Sequence, residues 1–199
     1  MFPQIDSYEL KTKPFKYFFG TSSSRKENIL SWIEWFEDSA PWELVETDFY
    51  EQYEFSLLHT DLPEKISHLS SDETLAQLTN TIESIFKVKL SDKVDVIAHK
   101  LVAGQTIRVH NDFIDKEGRE THRILFQLNR NYTKHSGGLL IFFEDPENDK
   151  WSDIIEPISA SVQGFEISKN SHHAVSTVHD GERYTIVYSF RETSPKEII

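Results

Sequence analysis

Val94-Asp95-Val96-Ile97-Ala98-His99-Lys100-Leu101 opens the run of segments that decides the fold. Branched and aromatic side chains fit a pleated, half-buried surface better than a helix. The same character returns at Thr106–Val109, Ile124–Leu128, Leu139–Phe143, Phe165–Ile167 and Tyr184–Phe190. Turn-forming residues separate these stretches: Gly104, residues 115–118, Gly137-Gly138, Pro146-Glu147-Asn148-Asp149 and Asp180-Gly181. Short strands punctuated in this way predict a β-sandwich or barrel.

Upstream of Lys93 the periodicity is different. Ser24-Arg25-Lys26-Glu27 has a capping-box pattern and leads into Ile29, Trp32, Ile33 and Phe36 at helical spacing, with Pro41 as the stop. Ser70 and Glu73 repeat the device before Leu75, Leu78, Ile82 and Ile85. Strands are expected around Phe15–Phe19 and Leu44–Phe55. Helices first and strands after predict a mainly β, α+β chain: a jelly roll with supporting N-terminal helices. Residues 1–92 form the buttress and 93–199 the core of one compact unit.

Charge and composition narrow the function. Lys and Arg total 21 against 33 Asp and Glu, a net charge of −12 that opposes phosphate backbones and anionic membranes. No basic run offsets it, so nucleic acid is not an expected partner. The absence of cysteine removes disulfides, zinc–thiolate sites, iron–sulfur clusters and cysteine nucleophiles. Met1-Phe2-Pro3-Gln4-Ile5-Asp6 lacks the basic and apolar regions of a signal peptide, and no stretch has the roughly 20 apolar residues of a membrane span. The expected location is cytoplasmic.

Within the β-rich part lies Arg108-Val109-His110-Asn111-Asp112. On extended backbone, residues two apart point to the same side, so His110 and Asp112 can share a metal. A second imidazole would complete a 2-His-1-carboxylate set, leaving roughly three positions of an octahedral Fe(II) open for a bidentate 2-oxo acid and O2. His-x-Asp alone is a weak signal, and a solvated loop is its plain alternative.

The second imidazole is offered by Ser171-His172-His173-Ala174-Val175-Ser176-Thr177-Val178, followed by Arg183 and Thr185. With His110-Asn111-Asp112, Leu128-Asn129 and Gly137-Gly138-Leu139-Leu140 before it, residues 94–191 resemble the prolyl-4-hydroxylase-like branch of the Fe(II)/2-oxoglutarate oxygenases. The resemblance implies a double-stranded β-helix (a cupin-like jelly roll), Fe(II) as cofactor, 2-oxoglutarate and O2 as cosubstrates, and room for ascorbate. It implies iron held by His110, Asp112 and His173, with Arg183 on the distal carboxylate of 2-oxoglutarate and Thr185 beside it. The two valines fall at the family's offsets from His173; His172 stays open as the alternative ligand. His122, His135 and His179 read as loop or surface histidines.

The implied reaction is hydroxylation of a C–H bond with release of succinate and CO2. Retention of Asp112 argues against the related halogenases, which have a small residue there. Gln127 stands where the family often has a tyrosine, and Lys100 is either a further contact or a solvent-exposed lysine. The loops at 111–121 and 145–155, expected to shape the pocket, carry no recognisable substrate motif. An amino acid, a peptide or a small metabolite all fit, and oligomeric state is not readable. A metal-binding jelly roll without turnover is the competing class; an acidic interaction module with incidental histidines is the third.

Overall fold

The computed structural model describes residues 5–193, so Met1–Gln4 of the segment read for a signal peptide, and residues 194–199, lie outside the described residues. The order of elements is β1 (Ile5–Lys11), β2 (Tyr17–Ser22), α1 (Lys26–Asp38), β3 (Glu43–Glu46), β4 (Glu51–Ser56), α2 (Glu64–Ser67) and α3 (Asp72–Phe86). There follow β5 (Asp95–Val102), β6 (Ile107–His110), β7 (His122–Gln127), β8 (Leu140–Asp145), β9 (Lys150–Ile155), β10 (Ser161–Glu166), β11 (His173–Val175) and β12 (Glu182–Phe190). One sheet runs β1-β2-β10-β7-β12-β5-β4-β3 and the other β6-β11-β8-β9, with the named strands paired antiparallel. The eight strands β5–β12 divide four and four between the sheets, which is the jelly roll. Four strands from the first 92 residues widen one of them. No helix among the described residues is long and apolar enough to cross a membrane.

Strand β12 explains how both faces of the large sheet are buried. Tyr184, Ile186, Tyr188 and Phe190 join the core beneath the helices, while Val187 joins a second core between the sheets. Arg183 and Thr185 share the Val187 face by the two-residue period of a strand. On the helical side, α1 buries Ile29, Trp32, Ile33, Trp35 and Phe36, and α3 buries Leu78, Ile82, Ile85 and Phe86. Trp32 packs edge-on against Phe126 of β7 with ring centroids 6.1 Å apart, and Phe36 stacks on Tyr184 at 5.9 Å. Burying an aromatic side chain stabilises by about 1.5–3 kcal/mol, so these contacts hold the helices to the sheet.

Several local expectations need correction. Ser24 does not cap α1: Arg25 occupies the cap position without a side-chain bond, because Ser24 is engaged with the Ser22 hydroxyl. The cap of α3 is Ser71, whose hydroxyl accepts from the Thr74 amide at 3.4 Å, while Ser70 donates to the Leu57 and Ser67 carbonyls. Strands β1 and β9 had no expectation, and β9 turns part of the supposed 145–155 loop into sheet. Both are largely exposed edge strands, so neither carries an apolar alternation. Leu44–Phe55 is two strands, β3 and β4, rather than one.

His122 is neither loop nor surface. It lies in β7 on the helical side, 2 % exposed, against the Phe86 ring. Burial, helped by Lys16, pulls its pKa from the ordinary 6.5 down to about 4. His99 is lowered to about 3, mainly by burial and then by Arg123 and Arg183. Both values lie below those of the unfolded chain, so protonation below pH 6.5 favours unfolding. Stability is complete above that pH and falls as pH drops toward 4, by up to about 1.4 kcal/mol per unit for each histidine. Urea unfolding across this range should show that slope, and His122→Gln should reduce it.

Candidate iron and 2-oxoglutarate site

The site sits between the sheets, where β6 and β11 pair. His173 lies opposite His110 in that pairing. Thr106 ties the two strands by donating to the Val175 carbonyl at 2.7 Å, and Ser171 ties the flanking loops by donating to the Asn111 carbonyl at 3.0 Å. The imidazoles stand with ring centroids 4.2 Å apart, walled by Phe49 and Phe165.

Asp112 reaches the same point by a different route from the one expected. Strand β6 ends at His110, and Asp112 adopts a left-handed conformation with φ 57°. Asn111 stabilises the turn by accepting from the Phe113 amide and donating to the Lys169 carbonyl. The turn, rather than strand alternation, brings the carboxylate back. Its oxygens lie 3.4 Å from His110 Nε2 and 3.2 Å from His173 Nε2, and the three candidate ligand atoms fall within 4.8 Å of one another. Two ligands bound at right angles to one ion, each at about 2.1 Å, stand roughly 3.0 Å apart. The donor set therefore fits a 2-His-1-carboxylate metal centre.

The imidazole tautomers fit as well. Nδ1 of His110 lies 2.8 Å from the Arg108 carbonyl, and Nδ1 of His173 lies 2.8 Å from the Ser171 carbonyl. A carbonyl only accepts, so each Nδ1 carries the hydrogen and each Nε2 keeps its lone pair for a metal. Burial outweighs the nearby Asp112 and keeps the His173 pKa below its ordinary value. Burial pushes the Asp112 carboxyl up, but Arg123, with the two histidines, outweighs it and holds the group well below the usual carboxylate range. Asp112 is thus ionised and His173 neutral at neutral pH, the forms a metal ion requires.

Beside the triad is a cavity of about 250 Å³, below the size typical of drug-like ligand sites and suited to a small acid. Arg183 enters it, and its Nε and Nη2 are buried with no hydrogen-bond partner among the described residues. Burial lowers its pKa to about 10, so it stays charged at neutral pH. Gly138, at φ +66°, makes room for this side chain: a Cβ there would stand 2.8 Å from Arg183 Cδ. Thr185 also lines the cavity and donates to Gln127 Oε1 at 3.0 Å.

Other sequence expectations part company here. Gln127 is fully buried and donates to Gln163, so its amide belongs to an internal network. Lys100 is neither a wall of the cavity nor free in solvent. It lies over the Trp42 and Tyr53 rings and 3.9 Å from Glu182. His172 is not among the clustered ligand atoms; its Nε2 lies 3.3 Å from the Asn111 amide nitrogen, on the outer side.

Sequence reading missed Arg123, which donates to Asp112 at 2.6 Å and to Glu120 at 2.8 Å. A lone charge in the apolar stretch His122–Gln127 was the available signal. His99 and the β4 residues Gln52 and Glu54 also line the cavity, and only the pairing of β4 with β5 could reveal that.

With this geometry in view, the comparisons are decisive. Residues 96–191 match the model of the 2OG-Fe(II) oxygenase superfamily. This stretch, the β-rich part of the chain, is a domain of that superfamily. As a 2OG-Fe(II) oxygenase it is a dioxygenase that uses Fe(II), 2-oxoglutarate and O2.

Solved structures agree in fold. A Pseudomonas putida prolyl-4-hydroxylase superposes with TM-score 0.72 at 15% identity, covering 89% of this chain and 93% of its own. A Trichoplax adhaerens prolyl hydroxylase, in complex with a hypoxia inducible factor peptide fragment, gives 0.69 at 14%, covering 88% and 83%. A viral collagen prolyl hydroxylase from Paramecium Bursaria Chlorella virus-1, in complex with 2OG, gives 0.63 at 15%, covering 89% and 96%. No curated protein sequence matches the chain significantly.

Anaerobic Fe(II) titration tests the choice between the adjacent histidines. Asp112→Ala and His173→Ala should each weaken binding by more than about a hundredfold, beyond the loss usual for an outer-shell change. His172→Ala should leave it nearly unchanged; the reverse order would reassign the ligand.

Proposed function

We propose that the chain is a hydroxylase acting on a C–H bond of an amino-acid, peptidyl or small-metabolite substrate. In this reading His110, Asp112 and His173 hold Fe(II), while Arg183, with Thr185 beside it, receives the distal carboxylate of 2-oxoglutarate. The observation that carries it is the pair of unpartnered, buried Arg183 donors in the same cavity as the triad. A buried guanidinium without a counter-charge is costly, and a carboxylate offers it two parallel acceptors. A metal binder without turnover would leave that arginine without a role. Support for a peptidyl substrate comes from the similar Trichoplax adhaerens enzyme, which is in complex with a peptide fragment.

When bound, Fe(II) with 2-oxoglutarate and O2 supplies the oxidising chemistry, with succinate and CO2 as co-products. The chain's own residues orient and exclude. Arg183 fixes one end of the cosubstrate, and Gly138 leaves room for the arginine. Leu125, Leu140, Phe165, Val175 and Val187 form apolar walls that keep water from the reacting centre. Arg123 stabilises the Asp112 carboxylate in its turn.

Visible spectra of metal-free protein titrated without oxygen test this assignment. A weak charge-transfer band should appear only when Fe(II) and 2-oxoglutarate are both present. Arg183→Ala should weaken 2-oxoglutarate binding roughly 10- to 100-fold, the worth of a charge-assisted bond, while iron is retained. Gly138→Ala should act in the same direction by displacing the arginine. Full iron binding without any band would overturn the reading.

A further inference from the structure

Outside the cosubstrate cavity, a second and larger cleft of about 880 Å³ opens on the other side of the ligands. His110, Asp112 and Arg123 line both spaces, so the cleft reaches the reaction centre from without. Its charge is opposite to that of the chain. Lys93, Lys116 and Arg119 line it and make no ion pair among the described residues.

The acidic side chains there are largely neutralised. Asp112 pairs with Arg123, Glu120 pairs with Arg123 and approaches Arg191, and Arg191 also pairs with Asp95. Glu117 is the one lining carboxylate with no ion pair among the described residues. Three unpaired cations thus face one unpaired carboxylate, in a protein of net charge −12. Such a reversal raises the local concentration of anions at the mouth.

Two further details sharpen the picture. Phe113 sits in the cleft wall with the Arg119 guanidinium 5.0 Å and the Lys169 ammonium 5.5 Å from its ring centre. Arg119 Nε is buried with no hydrogen-bond partner among the described residues. Cations held on an aromatic face are kept in place without being neutralised. Beside them Val109 and Ile114 are 42% and 64% exposed.

We infer that this cleft binds an acidic peptide segment, with Lys116 and Arg119 receiving Asp or Glu side chains next to the residue to be oxidised. The inference rests on the hydroxylase reading above and adds the substrate class. Exposed aliphatic residues among the cations suit a chain that mixes acidic and apolar side chains. A nucleic acid is the poorer occupant, since its phosphates would continue along a surface whose remaining charge repels them.

Fluorescence anisotropy on the full chain, loaded with Fe(II) and 2-oxoglutarate without oxygen, tests it with labelled hexaglutamate, hexaserine, hexalysine and hexathymidylate. Hexaglutamate should bind at least about tenfold tighter than hexaserine, with hexalysine weakest, and the preference should shrink as salt shortens the screening length. Lys116→Gln with Arg119→Gln should abolish the preference, while Lys116→Arg with Arg119→Lys should keep it. Equal binding of the peptides, no binding of hexaglutamate, or indifference to the charge-removing substitutions would overturn the inference. Tighter binding of hexathymidylate would overturn it in favour of nucleic acid. The charge-transfer band of the same loaded sample reports separately on the hydroxylase reading: its absence sinks that reading, whereas a band without charge preference sinks only this one.

Discussion

The β6–β11 pairing sets His173 directly opposite His110, and the rest of the site depends on that register. A slip of one residue would turn one imidazole out of the sandwich, because successive side chains on a strand point to opposite faces. Two features hold the register. The Thr106 hydroxyl is bonded across the pair to the Val175 carbonyl, and Val175 is itself anchored in the inter-sheet core. The two imidazoles are therefore positioned by packing that exists for the sake of the fold.

Asp112 is the exception, and its backbone reflects it. The residue stands past the end of β6 in a left-handed conformation that non-glycine residues seldom adopt. The Asn111 side chain and the Arg123 guanidinium stabilise that turn and the charge on it. Arg123 comes from β7 in the facing sheet, so both layers contribute to one side of the ligand set. The carboxylate stays ionised because a buried cation outweighs the desolvation of its own site.

The two halves of the chain are interleaved rather than stacked. Strand β4 pairs with β5, and its Gln52 and Glu54 join His99 along the cavity wall, while α1 and α3 cover the opposite face of the same sheet. Charge is distributed just as unevenly. A strongly acidic chain turns Lys93, Lys116 and Arg119, without an ion pair among the described residues, toward a cleft that His110 and Asp112 also line, which raises the local concentration of anions there.

Much of this was legible in the residues. Two-residue alternation in Tyr184–Phe190 and helical spacing at Ile29, Trp32, Ile33 and Phe36 specified the elements, because burial of one face imposes those periods. The resemblance carried by residues 94–191 singled out His110, Asp112, His173 and Arg183, and the fold brings the first three within 4.8 Å of one another beside the cavity that Arg183 lines. Edge strands β1 and β9 were not, since exposed strands need no apolar pattern, and the helix caps were misplaced because neighbouring serines compete for the same role. His122 looked like any polar residue until its strand was seen to face the helices. The sequence by itself nominated His110, Asp112 and His173 for a metal and Arg183 for a carboxylate, because their order and offsets resemble a family whose chemistry needs those donors. Only the tertiary structure decided that Arg123 would sit on Asp112, that Gly138 would clear the path of Arg183, and that Lys93, Lys116 and Arg119 would share a cleft, because each depends on how separate strands and loops are brought together in the fold.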